Sequence, residues 1–409
     1  MHTSAIARVI RAAKNPWGRG PFEPPLRPRR SPDRGFPACR CSGTVNQMSE
    51  KLRVAILGGT GMVGQRFISL LAEHPWFEVT EIAASPRSAG RSYAEAVRGR
   101  WKLDPLPVPE KVKELVVRSV EDVEAVAENV DFCFSALNMS KEEIRALEER
   151  YARTETPVVS NNSAHRWTPD VPMCIPEINP EHMDVIPFQK KRLGTTRGFI
   201  AVKPNCSIQS YTPALAAWKE FEPEEVVVTT YQAISGAGKN FGDWPEMDGN
   251  VIPFISGEEE KSEKEPLRIF GSLRDGVIVP AASPVITSQC LRVPVLYGHT
   301  AAAFVRFRKK AEKEELIARL RAFRGLPQQL LLPSAPQQFI RYMEEDDRPQ
   351  VRLDVDYGDG MGVSIGRLRE DTVYDWKFVG LSHNTVRGAA GGAVECAELL
   401  KAQNYIQHK

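Results

Sequence analysis

A cysteine and a histidine stand far apart in this sequence, each in surroundings that suit nucleophilic catalysis. Cys206 lies in the polar turn KPNCS of residues 203–207, between a strand-like stretch and a helix-like one. A helix N-terminus lowers the pKa of a thiol and favours the thiolate. His299 follows a glycine at the start of another strand-like stretch. A thiol nucleophile with a remote histidine as its acid/base partner is the pattern of covalent cysteine catalysis.

The remaining cysteines have a different character. Four of them lie in apolar patterns that predict small core residues, namely Cys133, Cys174, Cys290 and Cys396. Cys39 and Cys41 form a C-x-C with no second pair nearby, so we expect no metal site. Seven cysteines, an odd number, in a long chain without a secretory signal favour reduced thiols in a reducing compartment. We therefore expect a cytoplasmic protein.

A glycine-rich motif precedes this chemistry in the chain. Residues 59–64 read GTGMVG, a G-x-G-x-x-G between a short apolar strand at 53–57 and a helical pattern. Such glycines allow the backbone to approach a pyrophosphate, which the helix N-terminus then binds. The motif predicts dinucleotide binding by Gly59, Thr60, Gly61, Met62 and Val63.

The end of the next predicted strand suggests which dinucleotide is bound. An NAD enzyme usually carries an acidic residue there, to accept from the ribose 2′-hydroxyl. This chain instead has Ser85, Arg87 and Ser88, which suit a 2′-phosphate through charge-assisted hydrogen bonds. We therefore predict NADP(H) rather than NAD. Pro86 restrains the backbone here and leaves open which of the three side chains contacts the phosphate.

The glycine motif and the turn after the next strand lie between predicted strands and helices that alternate along the first half of the chain. Strand-like and helical stretches succeed one another up to about residue 200, which predicts a Rossmann-type, doubly wound parallel sheet. Beyond it, strand-like stretches at 226–234, 299–307 and 351–357 predict a second α+β domain with a mostly antiparallel sheet. The stretch from Thr385 onward predicts a C-terminal helix that returns to the first domain. We assign 48–200 to cofactor binding, 201–380 to catalysis and dimerisation, and 381–409 to this helix.

Composition limits the classes of partner. The 409 residues carry a formal net charge of +2, which argues against nucleic acid as the main partner. No apolar run approaches the ~20 residues needed to cross a bilayer.

Residues 1–47 are rich in Arg and Pro, and we expect them to be disordered. They are either a targeting peptide or lie before a true start at Met48, and we favour the second.

Read together, the motifs resemble a known family. GGTGMVGQRF, SALNM, NNSAHR, VPMCIPEIN, KPNCS, TYQAISGAGK, ISGEEEK, RVPVLYGHT and NTVRGAAGG follow one another as in aspartate-semialdehyde dehydrogenases of the archaeal and fungal branch. The resemblance runs from about residue 51 to about residue 401. It implies reduction of L-aspartyl 4-phosphate to L-aspartate 4-semialdehyde with NADPH, a step towards lysine, methionine and threonine. It also implies a homodimer or homotetramer.

The resemblance further implies roles for individual residues. Cys206 forms a thioester, His299 acts as general acid/base with a pKa near working pH, and Gln232 orients the acyl intermediate. Arg292 pairs with the substrate α-carboxylate and Glu258 accepts from its α-ammonium. The phosphate is held by Lys261, Arg166 and Asn205, and the nicotinamide lies near Ser235, Gly236, Asn384 and Thr385. Which glutamate of the EEEK run contacts the substrate stays open, because a shift of one helical turn changes it.

Three alternatives are weighed against this reading. A malonyl-CoA reductase of the same branch would keep the thiol, the histidine and NADPH, but Glu258 and Arg292 suit an amino-acid head group better. N-acetyl-glutamyl-phosphate reductases usually read Pro-Gly-Cys where this chain reads Pro-Asn-Cys. A non-catalytic nucleotide-binding relative would have lost Cys206 or His299, and both are present.

Overall fold

The computed structural model describes residues 50–103 and 105–409. The predictions for residues 1–47, including the pair Cys39 and Cys41, lie outside this part of the chain. None of the helices in the described ranges is long and apolar enough to cross a membrane. Two six-stranded sheets organise the described residues.

The first sheet is wholly parallel, with the order β3-β2-β1-β4-β5-β6. Its strands are β1 Leu52–Leu57, β2 Phe77–Ala84, β3 Arg118–Ser119, β4 Phe132–Ser135, β5 Val158–Ser160 and β6 Ile200–Val202. The helices between them are α1 Met62–Leu71, α2 Tyr93–Ala96, α3 Glu110–Lys113, α4 Val123–Ala127, α5 Lys141–Arg153 and α6 Ile186–Leu193. The strand order reverses between β1 and β4, and the glycine motif follows β1 there, where open α/β sheets bind ligands. The predicted doubly wound fold is confirmed.

The second sheet has the order β10-β7-β11-β14-β13-β12. Its strands are β7 Pro223–Gln232, β10 Val285–Arg292, β11 His299–Phe307, β12 Ile340–Met343, β13 Val363–Glu370 and β14 Trp376–Ser382, while β8 Ser272–Arg274 and β9 Val277–Val279 form a separate hairpin. The accompanying helices are α7 Thr212–Ala217, α8 Glu258–Ile269, α9 Lys313–Ala322, α10 Leu326–Gln329, α11 Val351–Asp354 and α12 Gly391–Ala402. The pairs β10–β7 and β12–β13 are parallel and the other pairs are antiparallel, so the sheet is mixed.

One predicted strand is wrong. Residues 351–357 alternate apolar and polar side chains, yet they form α11 and a following turn. The cause is Asp354, whose buried carboxylate accepts from the N–H of Gln350 at 2.7 Å and pairs with Arg341 and Arg348. These polar contacts close a helical turn that the alternation does not reveal.

The C-terminal segment begins with a π-helical turn, Val386–Ala390, and continues as α12. All but the last two residues of α12 are buried, and the helix packs against α1 and β5 of the first sheet. The predicted C-terminal helix is confirmed. The domain boundaries proposed from the sequence stay a prediction.

The hydrophobic core has two parts. One lies on a single face of the first sheet and contains the stacked and edge-on rings of Phe67, Phe77, Phe132 and Phe134. The other extends from the opposite face, through the segment that follows β6, into the second sheet. Because this second part is continuous, it places the segment that carries Cys206 rigidly between the two sheets.

Candidate active site

Residues 203–207 follow β6 and lead towards α7, and we call them the nucleophile turn after the role predicted for Cys206. Cys206 directly precedes a 3₁₀ turn, Ser207–Ser210, and is partly buried. The Asn205 side-chain oxygen accepts from the N–H of Ser207 at 2.7 Å, while the Asn205 N–H donates to Glu265 at 2.6 Å. The turn is therefore held on both sides of the thiol.

His299 is the first residue of β11 and meets the thiol as the sequence predicts. Its Nε2 lies 3.3 Å from the Cys206 sulfur. Its Nδ1 accepts from the backbone N–H of Ala233 at 3.0 Å. An accepting Nδ1 assigns the proton of the neutral ring to Nε2, which faces the sulfur.

The protonation states differ from the prediction. Burial, followed by the charge of Arg292, lowers the pKa of His299 to about 3. A pKa near working pH, expected from the resemblance, is therefore wrong for this buried ring. The physical reason is that an imidazolium here would be desolvated and would lose the hydrogen bond from Ala233.

The thiol pKa also departs from the expectation. Burial raises the pKa of Cys206, and the negative charge of Glu258 adds to this effect. The opposing charges come from Lys203, Arg166 and Arg292. The helix N-terminus predicted a lowered pKa, which is not found, because the desolvation of a buried thiolate outweighs the favourable charges.

Arg292, at the end of β10, borders the same cleft. It is buried, donates to the carbonyl of Ala233 at 2.7 Å, and forms no ion pair with any residue that the structure describes. Gly236 lies against it, since a Cβ there would stand 2.9 Å from the Arg292 guanidinium and 3.2 Å from the His299 ring. A buried guanidinium without a carboxylate partner, beside the thiol, is suited to bind an anionic group of a ligand.

Glu258, at the start of α8, gathers three of the predicted substrate residues. Its carboxylate accepts from Lys261 at 2.6 Å, from Asn205 at 3.0 Å and from Gln232 at 3.3 Å. Burial favours the neutral acid, but Lys261 and these hydrogen bonds together lower the pKa of Glu258. The structure thus brings together an ionised carboxylate, an ammonium and two amides around the thiol.

Arg166 is linked to this group through a residue that the sequence analysis missed. Its guanidinium pairs with Glu265 at 2.9 Å, and both side chains are buried. Glu265 also accepts from the N–H of Asn205. The helical spacing in α8 could have revealed it. Successive steps of four and three residues place Glu258, Ser262 and Glu265 on one face of the helix, and that face is buried.

The glycine motif forms the turn between β1 and α1. A Cβ on Gly64 would stand 2.3 Å from the carbonyl oxygen of Gly58, so the tight turn requires glycine there. The Gly59 N–H donates to the carbonyl of Ala83 at 3.2 Å, and the Gly59 carbonyl accepts from the Tyr93 hydroxyl at 2.9 Å. The helix starts at Met62 without a side-chain cap and with no acidic residue in its first turn. Its first N–H groups, including that of Val63, are therefore available to a phosphate, as they are in dinucleotide sites.

Of the residues predicted near the nicotinamide, Gly236 and Asn384 lie close to His299 and to the residue before it. Asn384 donates to the Ser235 hydroxyl at 2.8 Å and accepts from the N–H of Gly298, the residue before His299, at 2.8 Å. The hydroxyl of Thr385 is buried and has no hydrogen-bond partner among the described residues. An unpaired buried hydroxyl at this place fits a polar group of a bound cofactor.

The turn after β2 carries the residues predicted at the 2′-phosphate. Ser85 and Arg87 are exposed, Ser88 is buried, and the Ser88 N–H closes the turn on the Ser85 carbonyl at 2.9 Å. This turn lies at the carboxyl end of β2, next to β1 and its glycine motif. Within that motif, the Thr60 carbonyl accepts from the Gln65 side chain at 3.0 Å.

Together the fold and the site define the class of protein, an oxidoreductase in which a thiol–imidazole pair lies beside a dinucleotide-binding sheet. Residues 53–186 match the family model "semialdehyde dehydrogenase, NAD binding domain", and residues 214–387 match "semialdehyde dehydrogenase, dimerisation domain".

Curated relatives and solved structures give the same family. The aspartate-semialdehyde dehydrogenase of Methanothermobacter thermautotrophicus is 44% identical over 85% of this chain and 99% of that protein. That of Aspergillus fumigatus is 41% identical, with 87% and 99% covered. The Candida albicans enzyme, solved with NADP, has a TM-score of 0.78 at 37% identity over 87% of this chain and all of that one. The chain therefore belongs to the aspartate-semialdehyde dehydrogenase family.

Proposed function

We propose that this protein catalyses the reversible, NADPH-dependent reduction of L-aspartyl 4-phosphate to L-aspartate 4-semialdehyde and phosphate. The observation that carries the proposal is the contact of 3.3 Å between the Cys206 sulfur and the His299 imidazole, with Arg292 beside it. The relatives support it by name, as does a Vibrio cholerae aspartate-semialdehyde dehydrogenase II solved with ASA, at 26% identity and a TM-score of 0.67. The malonyl-CoA reductase alternative gains no support from these relatives.

Cys206 performs the covalent chemistry in this proposal. Its thiolate attacks the acyl phosphate and expels phosphate, which leaves a thioester. NADPH, when bound, supplies the hydride that reduces this thioester. His299 acts at Nε2, where its proton faces the sulfur: it donates that proton to the oxygen of the reduced carbon, which gives a thiohemiacetal. It takes the proton back as the C–S bond breaks, which releases the aldehyde and returns the Cys206 thiolate. A thiolate suits both steps because it is a strong nucleophile and a good leaving group.

The surrounding charges select an amino-acid substrate. Arg292, buried without a carboxylate partner, pairs with the α-carboxylate, and Glu258 accepts from the α-ammonium. Lys261, Arg166 and Asn205 hold the phosphate, and to do so Lys261 and Asn205 exchange their contacts with Glu258 for contacts with the ligand. Gln232 orients the acyl group from the end of β7.

The cofactor proposed is NADP(H). The uncapped start of α1 fits the pyrophosphate, and the buried, unpaired hydroxyl of Thr385 fits a polar group near the thiol. Arg87 supplies the positive charge for the 2′-phosphate, and no acidic side chain stands among residues 85–91 to favour the free ribose of NAD.

We further propose a homodimer formed through the second sheet, with a homotetramer as the alternative. One face of this sheet packs on the core, while the other leaves Tyr231, Thr229 and Ala302 at least partly exposed on β7 and β11. These two strands pair in the middle of the sheet. The match of residues 214–387 to a dimerisation domain supports an interface in this part of the chain.

The test is an assay of NADP⁺ reduction with L-aspartate 4-semialdehyde, run with and without phosphate. The proposal expects phosphate-dependent NADPH formation, with NAD⁺ a much weaker oxidant, and no activity in Cys206→Ala. Oxidation of NADPH by malonyl-CoA with no reaction of the semialdehyde would overturn the proposed substrate. Equal rates with NAD⁺ would overturn the cofactor preference alone.

A further inference from the structure

Lys203 is a buried residue beside the nucleophile to which the proposed mechanism gives no role. It follows β6 directly, and its side-chain amine donates to the carbonyl of Pro204 at 2.5 Å and to that of Gly388. Pro204 belongs to the nucleophile turn, and Gly388 belongs to the π-helical turn before α12. One amine thus joins the two segments that flank Cys206.

The second of these segments lies directly against the thiol. A Cβ added to Gly388 would stand 2.7 Å from the Cβ of Cys206. The carbonyl that Lys203 holds therefore belongs to a residue in contact with Cys206. Because the amine bonds to both segments, its position influences the distance between the nucleophile turn and the π-helical turn.

The other buried cations around Lys203 have carboxylate partners. Arg166 pairs with Glu265, and Arg387 pairs with both Glu177 and Glu395 at 2.5 Å. Lys203 forms no ion pair with any residue in the ranges 50–103 and 105–409. Carbonyl dipoles alone compensate a buried charge poorly, so an ammonium here lacks a counter-charge.

Ionisation of Cys206 would supply that counter-charge, because each of the two groups acts on the protonation of the other. Four charged or titratable groups act on Lys203. They are Arg166 in the loop after β5, Cys206 in the nucleophile turn, Glu265 in α8 and Arg387 in the π-helical turn before α12. Burial and Arg166 lower the pKa of Lys203 to about 7, and Cys206 is first among the groups that oppose this. In return, Lys203 is first among the groups that oppose the rise in the pKa of Cys206.

We propose that Lys203 is a positioning residue of the reaction. It holds the nucleophile turn against the π-helical turn before α12, and its ammonium stabilises the thiolate of Cys206. Its part in turnover rests on the proposed function. Its effect on the thiolate does not, since a thiolate reacts with an alkylating agent whether or not the natural substrate is the one proposed.

The test is the pH dependence of Cys206 alkylation by iodoacetamide, followed by mass spectrometry of the peptide that contains Cys206. Lys203→Met keeps the length of the side chain but removes the charge. We expect its alkylation rate at pH 7 to be about tenfold lower than that of the wild type, and the two rates to converge as the pH rises above the pKa of Lys203, where the wild-type amine is neutral too. Lys264→Met removes an exposed lysine on the outer side of α8 and should leave the profile unchanged. A folded Lys203→Met or Lys203→Gln protein with the wild-type alkylation rate at pH 7 would overturn the proposal.

A second measurement avoids variants of Lys203. In protein carrying ¹³C-labelled lysine, the titration of Lys203 is compared between wild type and Cys206→Ala. Coupling to a thiolate predicts a lower Lys203 midpoint in the alanine variant, because the anion that favours the ammonium is gone. The same midpoint in both proteins would mean that Lys203 only fills space, and the proposal would fall.

Discussion

At the scale of single residues, the nucleophile is surrounded by more positive than negative groups, yet its histidine partner is neutral. His299 accepts from Ala233 through Nδ1, and burial lowers its pKa to about 3. The ring is therefore uncharged throughout the range in which the thiol titrates. Stabilisation of the thiolate then comes from Arg166 and Arg292 throughout this range, and from Lys203 at the lower pH values where its amine is protonated.

A prediction for His299→Gln follows. Because the imidazole is neutral in the free enzyme, we expect the pH midpoint of Cys206 alkylation to stay within a few tenths of a unit of the wild-type value. Turnover should nevertheless fall by about 10²–10⁴-fold, the usual contribution of a general acid/base. Peptide-resolved alkylation and steady-state kinetics measure the two effects separately. An upward shift of a full unit would mean that an imidazolium pairs with the thiolate in the wild type, and would contradict a neutral ring.

The burial of Lys203 also has a consequence for stability. Its folded pKa of about 7 lies below the ordinary value of 10.5, so the folded state opposes protonation. This penalty is full below pH 7 and fades as the pH rises towards 10.5, at ~1.4 kcal/mol per pKa unit. Urea unfolding should therefore find Lys203→Met more stable than wild type at pH 7, with a smaller gain at pH 10. A stability difference independent of pH would contradict a lowered pKa.

At the scale of elements, the site lies where three segments meet: the turn after β6, the start of β11 and the π-helical turn before α12. Their approach is close enough to require glycine at Gly388. We expect Gly388→Ala to lower kcat at least tenfold, since the added methyl group must displace Cys206 or the turn that carries it. The Kd of NADPH, measured by fluorescence titration, serves as the control for a folded cofactor site. Unchanged kcat would show that the nucleophile tolerates the displacement.

The elements also show what the sequence can and cannot predict. Strands of the first sheet are buried on both faces and stand out as apolar runs, and the glycine motif marks the turn after β1. β10 was not predicted, although its alternating burial carries the period of a strand. The helix α11 and the inward position of Glu265 depend on polar contacts with distant residues. Neither local propensity nor apolar spacing encodes such contacts.

At the scale of the whole molecule, the second sheet leaves one face uncovered by the described residues, with Ala302 near its centre. Placing a charge in a buried subunit interface is costly. We therefore expect Ala302→Glu to dissociate the oligomer at micromolar concentration, as observed by sedimentation. Leu331→Glu, at a residue that is 83% exposed and outside this sheet, is the control. An unchanged sedimentation coefficient for Ala302→Glu would exclude this face as the interface.

The central claim is that catalysis proceeds through a thioester on Cys206, and a single-turnover experiment tests it most directly. Enzyme, NADP⁺ and L-aspartate 4-semialdehyde are mixed without phosphate, and NADPH is followed by absorbance while the peptide containing Cys206 is analysed by mass spectrometry. We predict a burst of one NADPH per site, an aspartyl adduct on Cys206, and continued turnover only when phosphate is added to release the acyl group. Steady NADPH formation without phosphate, or a burst with no adduct on Cys206, would contradict the account.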